Sequence, residues 1–501
     1  MNSTGDGPEA STVVDDEHKD VKSPKKEDGE TEETEDSNQK LRIAVVGCSH
    51  GELNKIYDMI VEQEKSGEKI DLLLCCGDFQ AMRNAGDLEH FHCPPKYRQL
   101  GDFAEYYSKE KTAAVLTVLV AGNHESVAYK MELPYGGWLA PNIYYLGFAS
   151  VVNFGGLRIG GWTGIYKEND YNFTHYEAPP FARGQHISSY HVRSIERFRL
   201  GLLDDEKPNC VDIFLTHDWP VGITDYGNKQ WLIRHKPYFE ADINNGCLGN
   251  PHSMSLLKKI RPRHWFSAHL HVKFAATIEH KAVEKLRTQS YTNFLALHKC
   301  DSRRPNKWYY EILTVDAPNP LSKELRYDPT WLAILRKTSQ LEAGFKAVAQ
   351  IPDNPKDFLP NERDLQAVEK IFDGDYRIPL NFRPTAPPAF AFKKTRDVIG
   401  SFYYRNPQTK EFCERLEIFD LNRQLCEYNM SYVANPYYIE AEMVAEEKND
   451  SEIVLDDTNL FEDDDDFIID VKPSRKRPAT ESLDKEVEEE RVKTENDSNV
   501  F

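Results

Sequence analysis

Five short blocks hold most of the chemically versatile side chains of this 501-residue sequence. In chain order they supply Cys48 and His50; Asp78; Asn123 and His124; His217; and His269 with His271. Imidazole, thiolate, carboxylate and amide oxygen are donor types that hold transition ions, and a single carboxylate can bridge two of them. Taken one at a time, each residue has an ordinary explanation: Cys48 as a small buried apolar group, Asp78 as a turn or helix cap, Asn123 in a Gly-Asn turn, any one histidine as a satisfied core polar group. Five such clusters in one chain favour a shared centre with donors enough for two ions.

The elements that must position these blocks repeat as well. The apolar runs LRIAVVG (41–47), DLLLCCGD (71–78), AAVLTVLVAGNHE (113–125) and VDIFLTHDWP (211–220) have strand length, and each ends at or just before a polar, potentially ligating residue. Buried strands feeding loops and helical patterns are the unit of an α/β fold, in which sites form outside the carboxyl ends of the strands. Residues 142–164 read as short strands with glycine turns, and 264–280 as a strand, a polar break at His269 to His271, then another strand. The segments YTNFLALHKC and WYYEILTV are expected to complete a second sheet. The spacing thus predicts a two-sheet sandwich flanked by helices over 41–315. A smaller C-terminal region follows over 316–440, with helical patterns near 328–337, 362–372 and, as one run, 408–427.

Charge separates this ordered middle from the ends. The formal net charge is −20, but acids exceed bases by 8 in residues 1–40 and by 13 in 441–501, leaving +1 on the 400 residues between. An open, nucleic-acid-coating basic surface is therefore not expected. Low hydrophobicity with high charge predicts disordered acidic tails at both ends. Within the second tail, Lys472 to Pro478 forms a basic island, read either as a nuclear-import signal, which places the protein in the nucleus, or as a charge fluctuation in a solvated segment. No run approaches the roughly 18–20 apolar residues of a membrane span, and the N-terminus lacks the apolar segment of a secretory signal, so a soluble intracellular protein is expected. Nine cysteines spread over the chain read as reduced thiols.

The blocks GCSHG, CCGDFQ, VAGNHE, LTHDWP and SAHLH resemble the signature blocks of the calcineurin-like metallophosphoesterases, whose usual pattern is D-x-H, G-D, G-N-H-[DE], H and G-H-x-H. Cys48 replaces the first aspartate, and Ala268 replaces the glycine before the last histidine pair. With GWTGIYKENDYNFTHYEAPPF, SSYHVRSIERFRL and TNFLALHKC, the chain closely resembles the lariat debranching enzyme family over roughly residues 41 to 440. His298 stands where that family's last motif leads one to expect an aspartate, well away from the five ligand blocks.

The resemblance implies a first metal position surrounded by His50, Asp78 and His271 with Cys48 close by, and a second surrounded by Asp78, Asn123, His217 and His269. It implies hydrolysis of the 2′-5′ phosphodiester bond of branched RNA by an acidified water. His124 would act as general acid on the departing 2′ oxygen or, alternatively, orient a ligand. A thiolate at Cys48 would favour Fe²⁺, Zn²⁺ or Mn²⁺ over Mg²⁺; a Cys48 that stands back would leave one position mostly vacant. Residues 163–199 interleave aromatic and cationic groups, including Tyr166, Tyr176, Tyr190, His191 and Arg193. By the resemblance these form the family's RNA recognition loop; the alternative is a long segment packed on the core. Two rival functions remain: a dinuclear phosphatase for other phosphoesters, and an inactive scaffold of the same fold. A monomer is expected, with branched RNA as its partner and splicing-related proteins engaged through the tails.

Overall fold

The computed structural model of the protein describes residues 40–203, 211–281, 290–301, 308–342, 347–389, 402–439 and 442. Apart from Lys40 and Glu442, both acidic tails, with the basic island, lie outside them, as does Cys210. The strands are β1 (Lys40–Val46), β2 (Leu72–Cys75), β3 (Thr117–Leu119), β4 (Gly137–Ala140), β5 (Ile143–Tyr145), β6 (Ala149–Phe154), β7 (Leu157–Trp162), β8 (Ile213–Thr216), β9 (His264–Ser267), β10 (Phe274–Glu279), β11 (Tyr291–Ala296), β12 (Tyr310–Asp316) and β13 (Arg326–Tyr327). They form two mixed sheets, in the orders β12-β1-β2-β3-β5-β4 and β10-β11-β9-β8-β7-β6-β13, and a further small parallel sheet pairs Tyr403–Tyr404 with Val433–Ala434. The strands that lead to the five blocks, β1, β2, β3, β8 and β9, are central and are joined to their in-sheet partners mostly by parallel pairing.

Period-two alternation explains the layers. Leu72 and Leu74 of β2 point inward with Ile43 and Val45 of β1, meeting Ile159, Ile213, Leu215 and Phe266 of the second sheet to form the central core. Leu73 and Cys75 point outward into a second core with Ile56 and Ile60 of the helix Leu53–Lys65. The far face of the second sheet is covered by the helices Pro251–Ile260 and Pro329–Thr338. The central strands β1, β2, β3, β8 and β9 are buried on both faces and read as continuous apolar runs, whereas the outer β10 alternates buried and exposed residues.

Two sequence expectations need correction. β12 does not join the second sheet; it crosses back and pairs antiparallel with β1 over Lys40↔Asp316 to Val46↔Tyr310, closing the edge of the first. The single helical run over 408–427 is two helices, Pro407–Leu416 and Leu421–Tyr428. Glu417 adopts a left-handed conformation that ends the first, and the Asp420 carboxylate caps the second by accepting from the Arg423 amide.

The C-terminal region is stitched into the two-sheet body through a buried cage. The Arg83 guanidinium, five residues after Asp78, is fully buried over the Tyr129 ring at 4.0 Å. It donates to Asp87 at 2.9 Å, to Glu132 at 2.7 Å and to the Thr385 hydroxyl at 2.8 Å. Thr385 in turn donates to Glu132 at 2.7 Å, Asn84 donates to the Pro387 carbonyl, and the Tyr107 hydroxyl exchanges hydrogen bonds with Ala386. Removing the cation leaves two buried carboxylates without their partner, so Arg83→Met is expected to lower unfolding free energy by about 3–5 kcal/mol, measured by chemical denaturation. An unchanged midpoint would show that the cage is not what joins the two regions.

Candidate functional site

The chain reverses direction sharply where each of the first, second and last blocks leaves its strand. His50, Asp78, His269 and His271 all have positive φ, at 47°, 47°, 61° and 48°. For residues with a Cβ this costs about 1–3 kcal/mol each and persists only where the surroundings over-determine it. Here they do. The His50 amide donates to the Asp78 carbonyl at 2.7 Å, the Ala268 amide to the His217 carbonyl at 3.0 Å, and the His269 amide to the Cys48 sulfur at 3.2 Å. Two glycines leave room for this: a Cβ at Gly122 would lie 2.2 Å from Asp78 Oδ1, and one at Gly77 2.5 Å from His217 Nδ1.

The result is one convergent cluster. Donor atoms of Cys48, His50, Asp78 and His271 all lie within 4.8 Å of one another. His50 and His271 bring their Nε2 atoms to 3.1 Å, and His50 Nε2 lies 3.7 Å from Asp78 Oδ2. On the other side of the carboxylate, His217 Nε2 is 3.3 Å from Asp78 Oδ1 and 3.2 Å from Asn123 Oδ1. The His269 ring sits 4.9 Å from that of His217. All seven residues that the sequence nominates as ligands therefore meet around Asp78, whose two oxygens face the two halves of the set.

Electrostatics suit a cation. Burial pushes the proton affinity of His269 and His271 down to about 3 and about 2, helped by neighbouring imidazoles, so both rings are neutral with free lone pairs near pH 7. Burial opposes a charged Asp78, yet His217, His50 and His124 outweigh it and hold the carboxyl well below its usual range. Burial likewise opposes protonation of His217, but Asp78 and the Cys76 carbonyl, which accepts from Nδ1 at 2.7 Å, raise it. The Cys48 thiol is pushed up by burial and then by Asp78, so only a bound cation would draw off its proton. Imidazole nitrogens, a buried carboxylate and an amide oxygen converging on one point are a donor set that fits divalent ions.

Several supporting residues escape a reading of the sequence. The buried Glu125 carboxylate accepts from the amides of Phe79 at 2.7 Å, Gln80 at 2.8 Å and Gly122 at 3.3 Å, binding the Asp78 loop to the Asn123 loop. Its place directly after Asn123 and His124 is the signal that could have found it. Gln80 reaches His50 Nδ1 at 3.1 Å, and buried Asp218 accepts from the Tyr166 amide at 3.1 Å. His298, expected away from the ligand blocks, places its ring 6.0 Å from that of His271 because β11 runs beside β9. His124 donates its amide to Asp78 Oδ1 at 2.9 Å, and its ring lies 5.5 Å from that of His50 and 6.0 Å from that of Phe91.

The 163–199 segment leaves the site at Gly164, whose amide donates to the Ala121 carbonyl, and returns where Val192 bonds to Ile165. Its five nominated residues behave differently. Tyr190 is directed to the site: its hydroxyl lies 3.1 Å from His92 Nδ1, and burial together with Asp78 pushes it up to about 12. Tyr166 is half-buried against Tyr171 and His252, and Tyr176 lies under the Arg193 guanidinium. His191 and Arg193 face the segment's own interior. His191 Nδ1 contacts Asp170 at 2.6 Å; Arg193, with 0% exposure, donates to Glu177 at 2.5 Å and to the carbonyls of Asp170 and Ser188. Their geometry gives both residues a framework role.

Two outcomes follow from these contacts. Glu125→Gln turns an amide NH₂ toward backbone N–H groups, so metal affinity is expected to fall about 10–100-fold, read by competitive chelator titration; unchanged affinity would free the Asp78 loop from dependence on Glu125. Arg193→Ala strands the buried Glu177 and is expected to lower activity on branched RNA and on a small phosphodiester in equal proportion, with a lower melting temperature. A decline confined to RNA would return Arg193 to the binding surface.

Comparison with known proteins agrees with this geometry. Residues 41–273 match the calcineurin-like phosphoesterase family model, and residues 289–421 match the lariat debranching enzyme C-terminal domain. The chain is 45% identical over 453 residues to the lariat debranching enzyme of Caenorhabditis elegans, covering 87% of this chain and 88% of that one. It is 41% identical over 470 residues to the lariat debranching enzyme of Homo sapiens, covering 89% and 84%. A third relative, the lariat debranching enzyme of Drosophila melanogaster, is 42% identical over 426 residues, covering 76% and 78%. This chain belongs to the lariat debranching enzyme family, built on a calcineurin-like phosphoesterase domain.

Proposed function

We propose that the protein hydrolyses the 2′-5′ phosphodiester bond at the branch point of excised intron lariat RNA, leaving a 2′-hydroxyl on the branch nucleotide and a 5′-phosphate on the released strand. The carrying observation is the convergence of Cys48, His50, Asp78, Asn123, His217, His269 and His271 beside an aromatic and cationic segment that opens next to them. Divalent ions, which these seven residues would hold, would supply positive charge that acidifies water and steadies the phosphoryl group. Asp78 lies between the two halves of the set and would be shared by both positions. Asn123 and His217 orient donors on one side; His50 and His271 do so on the other. A sulfur donor at Cys48 supports Fe²⁺, Zn²⁺ or Mn²⁺ over Mg²⁺.

The His124 ring stands at the rim and, among the described residues, makes no hydrogen bond, which leaves it available to a substrate oxygen. It is the group we assign to protonating the departing 2′ oxygen. The complete donor set supports an enzyme over a scaffold, and the 163–199 segment supports RNA over a general phosphoester. The basic island Lys472 to Pro478 supports a nuclear setting.

On a synthetic 2′-5′ branched RNA, the wild type is expected to cleave at the branch and spare a 3′-5′ linear control. His124→Ala is expected to keep its metal while losing about 10²–10⁴ in rate, and Asp78→Ala to lose both. Elemental analysis after anaerobic purification, run beside the assay, checks the pair. Stripping of metal by His124→Ala would overturn its assignment as the acid.

A further inference from the structure

A second surface adjoins the site, beyond the segment that the sequence indicated. The chain after the helix Ala85–Glu89 brings Phe91 to 6.0 Å from the His124 ring and stacks His92 on Tyr190 at 6.0 Å. It then runs outward through Lys96, Tyr97 and Arg98. Tyr97 is 61% exposed, with the Lys96 ammonium over its ring at 4.7 Å. Arg98 is held by its Nε donating to the Cys93 carbonyl at 3.1 Å and lies 3.8 Å from the Glu89 carboxylate. Arg183 belongs to the 163–199 segment. The start of its helix Arg183–Ser188 packs against the same stretch of chain: the Phe181 ring lies 5.0 Å, and the His186 ring 6.1 Å, from that of His90. Neither Lys96 nor Arg183 has an ion-pair partner among the described residues.

An exposed tyrosine set among cations is the composition of a single-strand RNA platform, in which a base stacks on the ring and phosphates meet the charges. Among the exposed aromatic residues, Tyr97 stands out by its connection to the rim of the site, which its own segment reaches through His92 and Phe91. We propose that Lys96, Tyr97 and Arg98, with Arg183, bind the RNA strand that contains the branch nucleotide. The choice of strand rests on the function proposed above: His124 is assigned to the departing 2′ oxygen, and the platform's own segment reaches the His124 ring through Phe91, which puts that segment on the leaving-group side. The strand that emerges with a 5′-phosphate leaves elsewhere.

The test uses the full-length metal-loaded protein and three substrates. One is a branched RNA extended by several nucleotides only on the strand containing the branch nucleotide, the second is extended only on the 2′-linked strand, and the third is bis(4-nitrophenyl) phosphate. Tyr97→Ala is expected to raise KM about 10-fold on the first at unchanged kcat, and to leave the other two as in wild type. Tyr97→Phe, which keeps the ring, is expected to match wild type throughout. Lys96→Ala with Arg98→Ala is expected to flatten the dependence of log KM on log salt for the first substrate, by about 0.7 for each phosphate that these side chains neutralise. Wild-type KM for Tyr97→Ala on the first substrate, or an equal rise on both branched substrates, overturns the strand assignment. An equal decline on all three indicates damage to the centre and also overturns it. If the wild type cleaves neither branched RNA, the reading of function fails first, and the phosphodiester arm shows whether the centre is still active.

Discussion

The site depends on keeping one carboxylate ionised where water cannot reach it. Asp78 is 1% exposed, and an isolated charge at such a depth costs several kcal/mol. Amide hydrogen bonds and surrounding imidazoles offset that cost: His124 donates its backbone N–H to Oδ1, His217 approaches the same oxygen, and His50 approaches the other. The balance leaves a focus of negative charge ringed by imidazole, thiol and amide donors, an arrangement that a divalent cation would complete. Residues far from any reacting atom are legible as supports for this state. Gly122 is bare because a side chain would enter the carboxylate, and Glu125 directs its oxygens at three amides rather than competing for a cation.

Backbone strain is the second half of the same constraint. A central strand ends with its last side chains pointing up or down the layer, not toward a common point above the sheet edge. Left-handed residues at His50, Asp78, His269 and His271 bend the loop segments back over the strand ends. Hydrogen bonds between blocks offset the strain, so the first block holds the second through His50 and Asp78, and the last holds the first through His269 and Cys48. These bonds hold together donors separated by more than two hundred residues, such as Cys48 and His269.

Much of this is legible in the sequence, and the parts that are not share a cause. Strand-length apolar runs ending in ligand types expose the sandwich and the seven donors, because burial on both faces leaves little freedom of composition. The side of β12 escapes, since its residues suit either sheet and only pairing with β1 decides. The break between Leu416 and Leu421 escapes because Glu417 is not a residue type that announces a left-handed turn. For the 163–199 segment, composition exposes a mixed aromatic and cationic surface, yet Arg193 is a buried partner of Glu177. Type alone cannot separate a cation offered to phosphate from one committed to a carboxylate; the acid that pairs with it lies sixteen residues earlier in the same segment.

That commitment has a consequence for how RNA is met. Arg193 with Glu177, and Arg199 with Glu342, are buried pairs, which contribute little net stability but penalise any arrangement that separates them. One fixes the segment against itself; the other ties its final helix to the C-terminal region, which also closes the Arg83 cage beneath the Asp78 loop. The segment is therefore pre-organised rather than ordered on binding, and less of the interaction with RNA is lost to fixing loops and side chains. With the interior cations committed to that framework, contact with phosphate would fall to the exposed ones of the proposed platform, and residues 41–440, nearly neutral in sum, would need only a few. A compact branch, with strands meeting at a single nucleotide, is a target that such a small, rigid, locally charged rim can select.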